Sequence, residues 1–236
     1  MSSSRLNNIQ KLLHEHCTPE WLDLLAFKSE EKIYPSESFL LKEGEEVKHI
    51  YIILSGKVKV FTTEQPNEER IIRLAGDGYI VGHRSFGKNF NFPVSAKTLT
   101  TSTVLQIPIQ VFQNILKANN LFCYHFLMFM AEELKDSEIH IKELTNNTVL
   151  QRVAKVIKIN AEVFGYSIVE KNMLSFTLSR KDIANFAGTT YETVIRTLNT
   201  LEKMEVIKTN KKNLYILNSK KLHKMIEHKN VKQSAD

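Results

Sequence analysis

The sequence predicts an α+β chain with an N-terminal antiparallel β-roll, a long dimerisation helix and a C-terminal winged helix-turn-helix, and three patterns carry that expectation. Short apolar runs with alternation recur between about Lys32 and Ile109, a heptad seam follows from about Asn120, and an Ala, Gly, Val spacing marks residues 180–198. The expected domains are 1–118 for N-terminal helices and roll, 119–148 for the long helix, and 149–236 for the winged unit.

Ile9 to Phe27 reads as one or two short helices, with Pro19 after Thr18 at a helix start, where proline's fixed φ suits the first turn. The runs "SFLLKEG", "HIYIILSGKVKVFT", "RIIRLAGDGYIVG" and "VSAKTLTTSTVLQIP" have the length and β-branched content of strands. Glycines between them supply turns, and the even spacing suits an antiparallel roll or barrel.

The period then changes. Leu127, Met130, Leu134, Ser137, Ile141, Leu144 and Thr148 recur at steps of three and four, the spacing of a coiled-coil seam. Such a helix either lies on the roll or pairs with a partner helix. Lys135, Asp136, Glu138, Lys142 and Glu143 keep the seam narrow, which favours a partner helix and hence a homodimer. Phe122, Phe126 and Phe129 fall off the seam and are expected to pack on the roll.

"VLQRVAKVIKINAEVFG" is an amphipathic helix closed by Gly165, and Ser179 is placed to cap the next helix with Asp182 three residues on. With Arg180 as first position, Ala184 is fifth, Gly188 ninth and Val194 fifteenth. Alanine lets two helices cross closely, glycine takes the left-handed turn and valine fills the angle between them, which is a helix-turn-helix. "VIKTNKKNLYIL" then reads as a β-hairpin with a lysine-rich tip, the wing.

At 236 residues the chain can bury a core without staples. The apolar stretch around Leu121 to Ala131 is broken by His125 and is far too short for a membrane span. "MSSSRLNNIQKLLHEHC" lacks the apolar core of a signal peptide, and two cysteines, Cys17 and Cys123, fit a reducing cytoplasm. Charge divides unevenly. Residues 1–148 carry 16 Lys and Arg against 18 Asp and Glu, whereas residues 149–236 carry 16 against 8, so all the positive excess lies in the last third. That asymmetry points to a polyanion partner for the winged unit, although a lysine-rich tail has the same signature.

In a helix-turn-helix the second helix enters the major groove of double-stranded DNA, and its N-terminal residues meet base edges. Thr189 or Thr190 is expected to cap that helix, with Glu192 in reach for a capping box. Tyr191, Glu192 and Arg196 then face the bases. Arginine bonds guanine O6 and N7, and a carboxylate accepts from cytosine N4. A Glu192–Arg196 ion pair is the simpler use of the same spacing and is compatible with readout. Backbone-positioning candidates are Arg180, Thr190, Thr193, Lys208, Lys211 and Lys212, each of which could equally be solvated.

A β-roll, a seam helix and a winged helix in this order resemble the Crp/Fnr family of bacterial transcription regulators, with a cyclic-nucleotide-binding-like roll. The most specific piece is "TTYETVIRTLNTLE", similar to the family's recognition helix. The resemblance implies base reading by Glu192 and Arg196, and Tyr191, in place of a second arginine, looks closer to the Fnr-like pattern of a TTGA half-site. It also implies contacts with RNA polymerase, with the acidic turn "TEQPNEER" as a candidate.

At the effector turn the sequence departs from members that bind cyclic AMP. In "GDGYIVGHRSFGKNFNFPVSAKT" Gly82 is kept, His83 and Arg84 replace the Glu-Leu whose carboxylate takes the ribose hydroxyl, and Phe92-Pro93 stand where Arg-Ser holds the phosphate. Cyclic AMP is therefore not expected to bind in the usual way. Effector-pocket candidates are Gly82, His83, Arg84 and, on the seam helix, Ser137. Either His83 and Arg84 meet an anionic ligand, or Arg84 ties the roll to the seam helix by pairing with Glu132 or Glu133. Two scattered cysteines cannot hold an iron–sulfur cluster, and His14, His16 and Cys17 match no zinc spacing, so no cofactor or metal is expected. Two readings stand within the regulator class: activity without a small effector, and control by an unidentified ligand or redox signal. The alternative from another class is a cupin-like metalloenzyme, for which His49 and His83 are too few ligands.

Overall fold

A computed structural model describes residues 9–227 apart from 66, 67, 87 and 88. The chain forms two compact units that divide between Asp136 and Ser137.

The first unit opens with α1 (Ile9–His16) and α2 (Pro19–Lys28), separated at Cys17–Thr18 with Pro19 at the start of α2. Eight strands follow: β1 (Glu30–Tyr34), β2 (Phe39–Leu41), β3 (His49–Ser55), β4 (Val58–Gln65), β5 (Glu68–Ala75), β6 (Ile80–Val81), β7 (Ser95–Thr98) and β8 (Ser102–Pro108). They make two four-stranded antiparallel sheets in the orders β1-β8-β3-β6 and β2-β7-β4-β5. Ile50, Tyr51, Ile52 and Ile53 of β3 are all buried, because strand β3 is covered on both faces and not on one.

Beyond the sheets lies a helix that the sequence pattern left unassigned, α3 (Ile109–Ala118). Its Ile109, Phe112 and Ile115 are buried at a helical spacing. Next comes α4 (Asn120–Asn146), which presses Phe122, Phe126 and Phe129 into the core, as their place off the seam implies. Phe112 meets Phe122 and Phe126 edge-to-face at centroid separations of 6.1 and 5.4 Å, a favourable geometry for aromatic pairs.

The seam residues do not share one environment. Leu127, Leu134 and Ile141 are each more than 60% exposed, 64%, 63% and 64%. Met130 packs against the core of the roll, and Ser137 and Leu144 are half-buried. Thr148 is not a seam residue. Its hydroxyl accepts from Gln151 N–H (3.3 Å) while its own N–H donates to Gln151 Oε1 (2.9 Å), a capping box that starts α5 (Val149–Phe164).

The second unit continues from the end of α4 through α5, α6 (Arg180–Ala187), α7 (Tyr191–Lys203), β9 (Ile207–Asn210), β10 (Asn213–Ile216) and α8 (Ser219–Glu227). Buried Asn160 of α5 fixes the chain before α6, donating to Phe176 O (2.8 Å) and accepting from Leu178 N–H (3.1 Å). The last helix, α8, was also unassigned by sequence, and only its Leu222 is fully buried. Among the described residues no helix is long and apolar enough to cross a membrane.

Candidate nucleic-acid interface

Ser179 caps α6 by accepting from Asp182 N–H at 3.0 Å. Ala184 is buried at the crossing of α6 and α7, and Gly188 closes α6 at φ 59°, ψ 52°. A Cβ there would meet nothing closer than Leu144 at 3.6 Å, so glycine is favoured by its φ and not by space. Val194 is wholly buried between the helices. Behind the turn Arg152 of α5 donates from Nε to Ala187 O (2.8 Å) and from Nη2 to Gly188 O (3.3 Å), while its Nη1 reaches Asn147 O (2.9 Å). One guanidinium thus satisfies orphan carbonyls at the ends of α4 and α6.

Thr190, not Thr189, caps α7, its hydroxyl accepting from Thr193 N–H at 3.3 Å. Glu192 is then one residue short of the capping-box position, so the expected box does not form. Nor does the Glu192–Arg196 ion pair form among the described residues; Arg196 Nη2 instead lies 3.4 Å from Thr193 Oγ1. Tyr191, Glu192 and Arg196 are all exposed, opposite the buried face of Val194, Thr197, Leu198 and Leu201. Asn199 and Lys203 continue the stripe of Glu192 and Arg196 at helical spacing and are exposed too. The sequence reading stopped at the first turn and a half and missed them, although their 3–4 spacing was visible.

The wing is the antiparallel pair β9–β10, with Lys211 and Lys212 at its tip and Lys211 at φ 55°. Glu202 of α7 accepts from Thr209 N–H (2.5 Å) and Thr209 Oγ1 (2.7 Å), which holds the wing to the helix. Lys208, Lys211 and Lys212 are exposed, and Arg180, at the first turn of α6, is half-buried.

The effector-type turn has different company. Gly82 takes φ 88° beside Phe92, and His83, Arg84 and Ser85 form a short 3-10 turn. Glu133 of α4 meets this turn from the other side: its Oε2 lies 2.5 Å from His83 Nε2 and 3.0 Å from Arg84 Nε, and its Oε1 is 2.5 Å from Arg73 Nη1. Of the two readings for Arg84, the tie to α4 is the one formed. Arg73 and the His83 contact were missed, although Phe122, Phe126, Phe129 and Glu133 lie on one helical face, and a carboxylate ending an apolar face calls for cations opposite. Ser137 is half-buried on α4 in the second unit.

Burial holds His83 down to about 4, only partly opposed by Glu133. For Glu133 burial acts upward, but Arg73, His83 and Arg84 outweigh it and keep the carboxyl well below the usual range. Among the described residues no three His, Cys, Asp or Glu side chains are grouped to hold a metal ion. His49 faces the ring of Tyr51, and His16 stacks on His125 at 3.8 Å between centroids. The acidic turn at 63–70 lies partly outside the described residues, at 66 and 67.

Two domain families match the chain: the cyclic nucleotide-binding domain over residues 31–119 and the Crp-like helix-turn-helix domain over residues 151–225. The chain is 29% identical over 191 residues to the fumarate and nitrate reduction regulatory protein of Salmonella typhimurium, covering 80% of this chain and 75% of that protein. Its Vibrio cholerae counterpart is 28% identical over 185 residues, 78% of this chain and 73% of that protein. Among solved structures, FixK2 from Bradyrhizobium japonicum superposes with a TM-score of 0.74 at 19% identity, covering 84% of this chain and 96% of that one. A Crp/Fnr transcriptional regulator from Thermus thermophilus gives 0.66 at 18%, with 85% and 100% covered; these two likenesses speak to the fold alone. With a nucleotide-binding-type roll ahead of a Crp-like helix-turn-helix, and relatives that span both, the chain belongs to the Crp/Fnr family of DNA-binding transcription regulators.

Proposed function

We propose that this regulator is a homodimer that reads an inverted repeat with a TTGA-like half-site and acts in the bacterial cytoplasm without binding cyclic AMP in the usual way. The observation that carries the reading is the exposed stripe at the start of α7, where Glu192 and Arg196 project without pairing to each other. A carboxylate repels phosphate, so on a DNA-facing helix it is accounted for by a base donor such as cytosine N4. Arg196 serves a guanine, Tyr191 sets the difference from arginine-bearing relatives, and Arg180, Thr190, Thr193, Lys208, Lys211 and Lys212 position the unit on the backbone.

In this reading residues 1–118 form the effector-type domain, 119–148 the dimerisation helix and 149–236 the DNA-binding domain. The outward row of Leu127, Leu134 and Ile141 is the dimer seam. RNA polymerase is the expected protein partner of a regulator bound at a promoter. Control by an unidentified ligand or a redox signal is the second reading, supported by the fumarate and nitrate reduction regulators among its relatives. Substitution of Arg196 by alanine tests the site. It is expected to weaken specific binding by about 1–3 kcal/mol and relax the choice at one guanine. Equal loss on every duplex would make Arg196 a phosphate contact.

A further inference from the structure

We propose that Glu133 is a built-in anion that fills the effector turn and seats α4 on the roll, making specific DNA binding independent of an anionic ligand at that turn. The inference rests on the DNA-reading function proposed above.

Three cationic or donor side chains from two elements converge on this one carboxylate. Arg73 of β5 takes Oε1, His83 and Arg84 of the 3-10 turn take Oε2, and Arg84 Nη2 also reaches Glu133 O at 3.4 Å. Arg73 is held from behind by Ile80 O at 3.1 Å. His83 is wholly buried and Glu133 is 8% exposed, so the cluster is closed to water on the imidazole side. An acceptor carboxylate requires the proton on His83 Nε2, which leaves Nδ1 as a lone pair. That Nδ1 has no hydrogen-bond partner, and a lone pair repels a second anion.

A carboxylate in this position is costly unless paired, and the largely buried Arg73 guanidinium is costly without an anion, while Arg84, about a third of it open to solvent at 34%, adds a second cation from the turn. Each side therefore requires the other. Phe126 and Phe129 fix the same helix face by burial, so α4 cannot rotate or slide without uncovering the rings and stripping the cations together. The outward direction of Leu127 and Leu134 is set by the same contacts.

The test uses the purified full-length chain with no ligand added and three variants: Glu133→Gln, Glu133→Ala and, as a control, Glu132→Gln, whose native carboxylate lies at the surface 3.5 Å from Lys135. Affinity for a selected duplex, circular dichroism and limited proteolysis of α4 are read on each. The wild type and Glu132→Gln are expected to bind alike. Glu133→Gln and Glu133→Ala are expected to lose on the order of tenfold or more in specific affinity and to expose α4 to protease while remaining folded. Sodium acetate in place of chloride at equal ionic strength is expected to restore Glu133→Ala, because a free carboxylate can enter the vacated place.

Folded variants that bind like wild type overturn the proposal. So does a weak, folded Glu133→Ala that acetate does not help, and so does failure of both Glu133 variants to fold, which would make the residue a general stability element. A wild type with no sequence preference contradicts the DNA-reading function instead, and the proteolysis and acetate comparison then decides the seating on its own.

Discussion

Glu133 and His83 share one hydrogen bond in a site with two guanidinium groups, and their titration follows from that placement. The His83 imidazole titrates at about 4 when folded against about 6.5 in an unfolded chain. Acid therefore protonates the unfolded chain first, and stability is lost as pH falls from about 6.5 towards 4. Glu133 acts in the same direction over a lower range: its folded carboxyl is held below the ordinary value, so its contribution is complete above about 4.3 and is lost as pH falls through and below that. Urea midpoints of the full chain are expected to be level from pH 8 to 7 and to decline progressively below about 6.5. A midpoint unchanged down to pH 5 would show that His83 is not buried in neutral form. At this scale the exposed start of α7 was legible, because Tyr191, Glu192 and Arg196 are local to one turn and a half. The cluster was legible only in part: Arg73 lies 60 residues from its partner, and sequence order carries no signal for that contact.

Among the elements, α4 has two unlike apolar faces. One is filled by Phe122, Phe126 and Phe129, and the other presents Leu127, Leu134 and Ile141 to solvent at heptad spacing. A row of leucine-sized groups left open is worth roughly 1.5–3 kcal/mol per side chain when another surface covers it. Leu134→Glu is accordingly expected to weaken self-association at least tenfold in sedimentation equilibrium while leaving circular dichroism unchanged. A variant that stays as associated as wild type would remove this row from the dimer. The heptad spacing found the helix but overran its end, since Thr148 belongs to the next helix as its cap. Helix α3 was missed for a different reason: it begins at Ile109, directly after Pro108 of β8, with no polar loop to announce a change of period. The β-roll and the helix-turn-helix were legible because each rests on local rules, alternation and glycine in one case and three small residues at fixed spacing in the other.

For the molecule as a whole, charge and chemistry are divided between the units. The basic excess of residues 149–236 accompanies the exposed stripe of α7 and the wing lysines, whereas the first unit directs its conspicuous cations, Arg73 and Arg84, at its own Glu133. In the function proposed, charge attracts DNA to the second unit, a few side chains of α7 select it, and Glu133 supplies the anion at the turn that follows β6. Selection from random duplex DNA by the purified wild-type chain, at near-physiological salt and without added ligand, tests this most directly. Enrichment of an inverted repeat with TTGA-like half-sites is the expected result. Weak, salt-sensitive binding with no sequence enriched would contradict it, leaving the basic unit as a nonspecific binder and returning control to a ligand or modification.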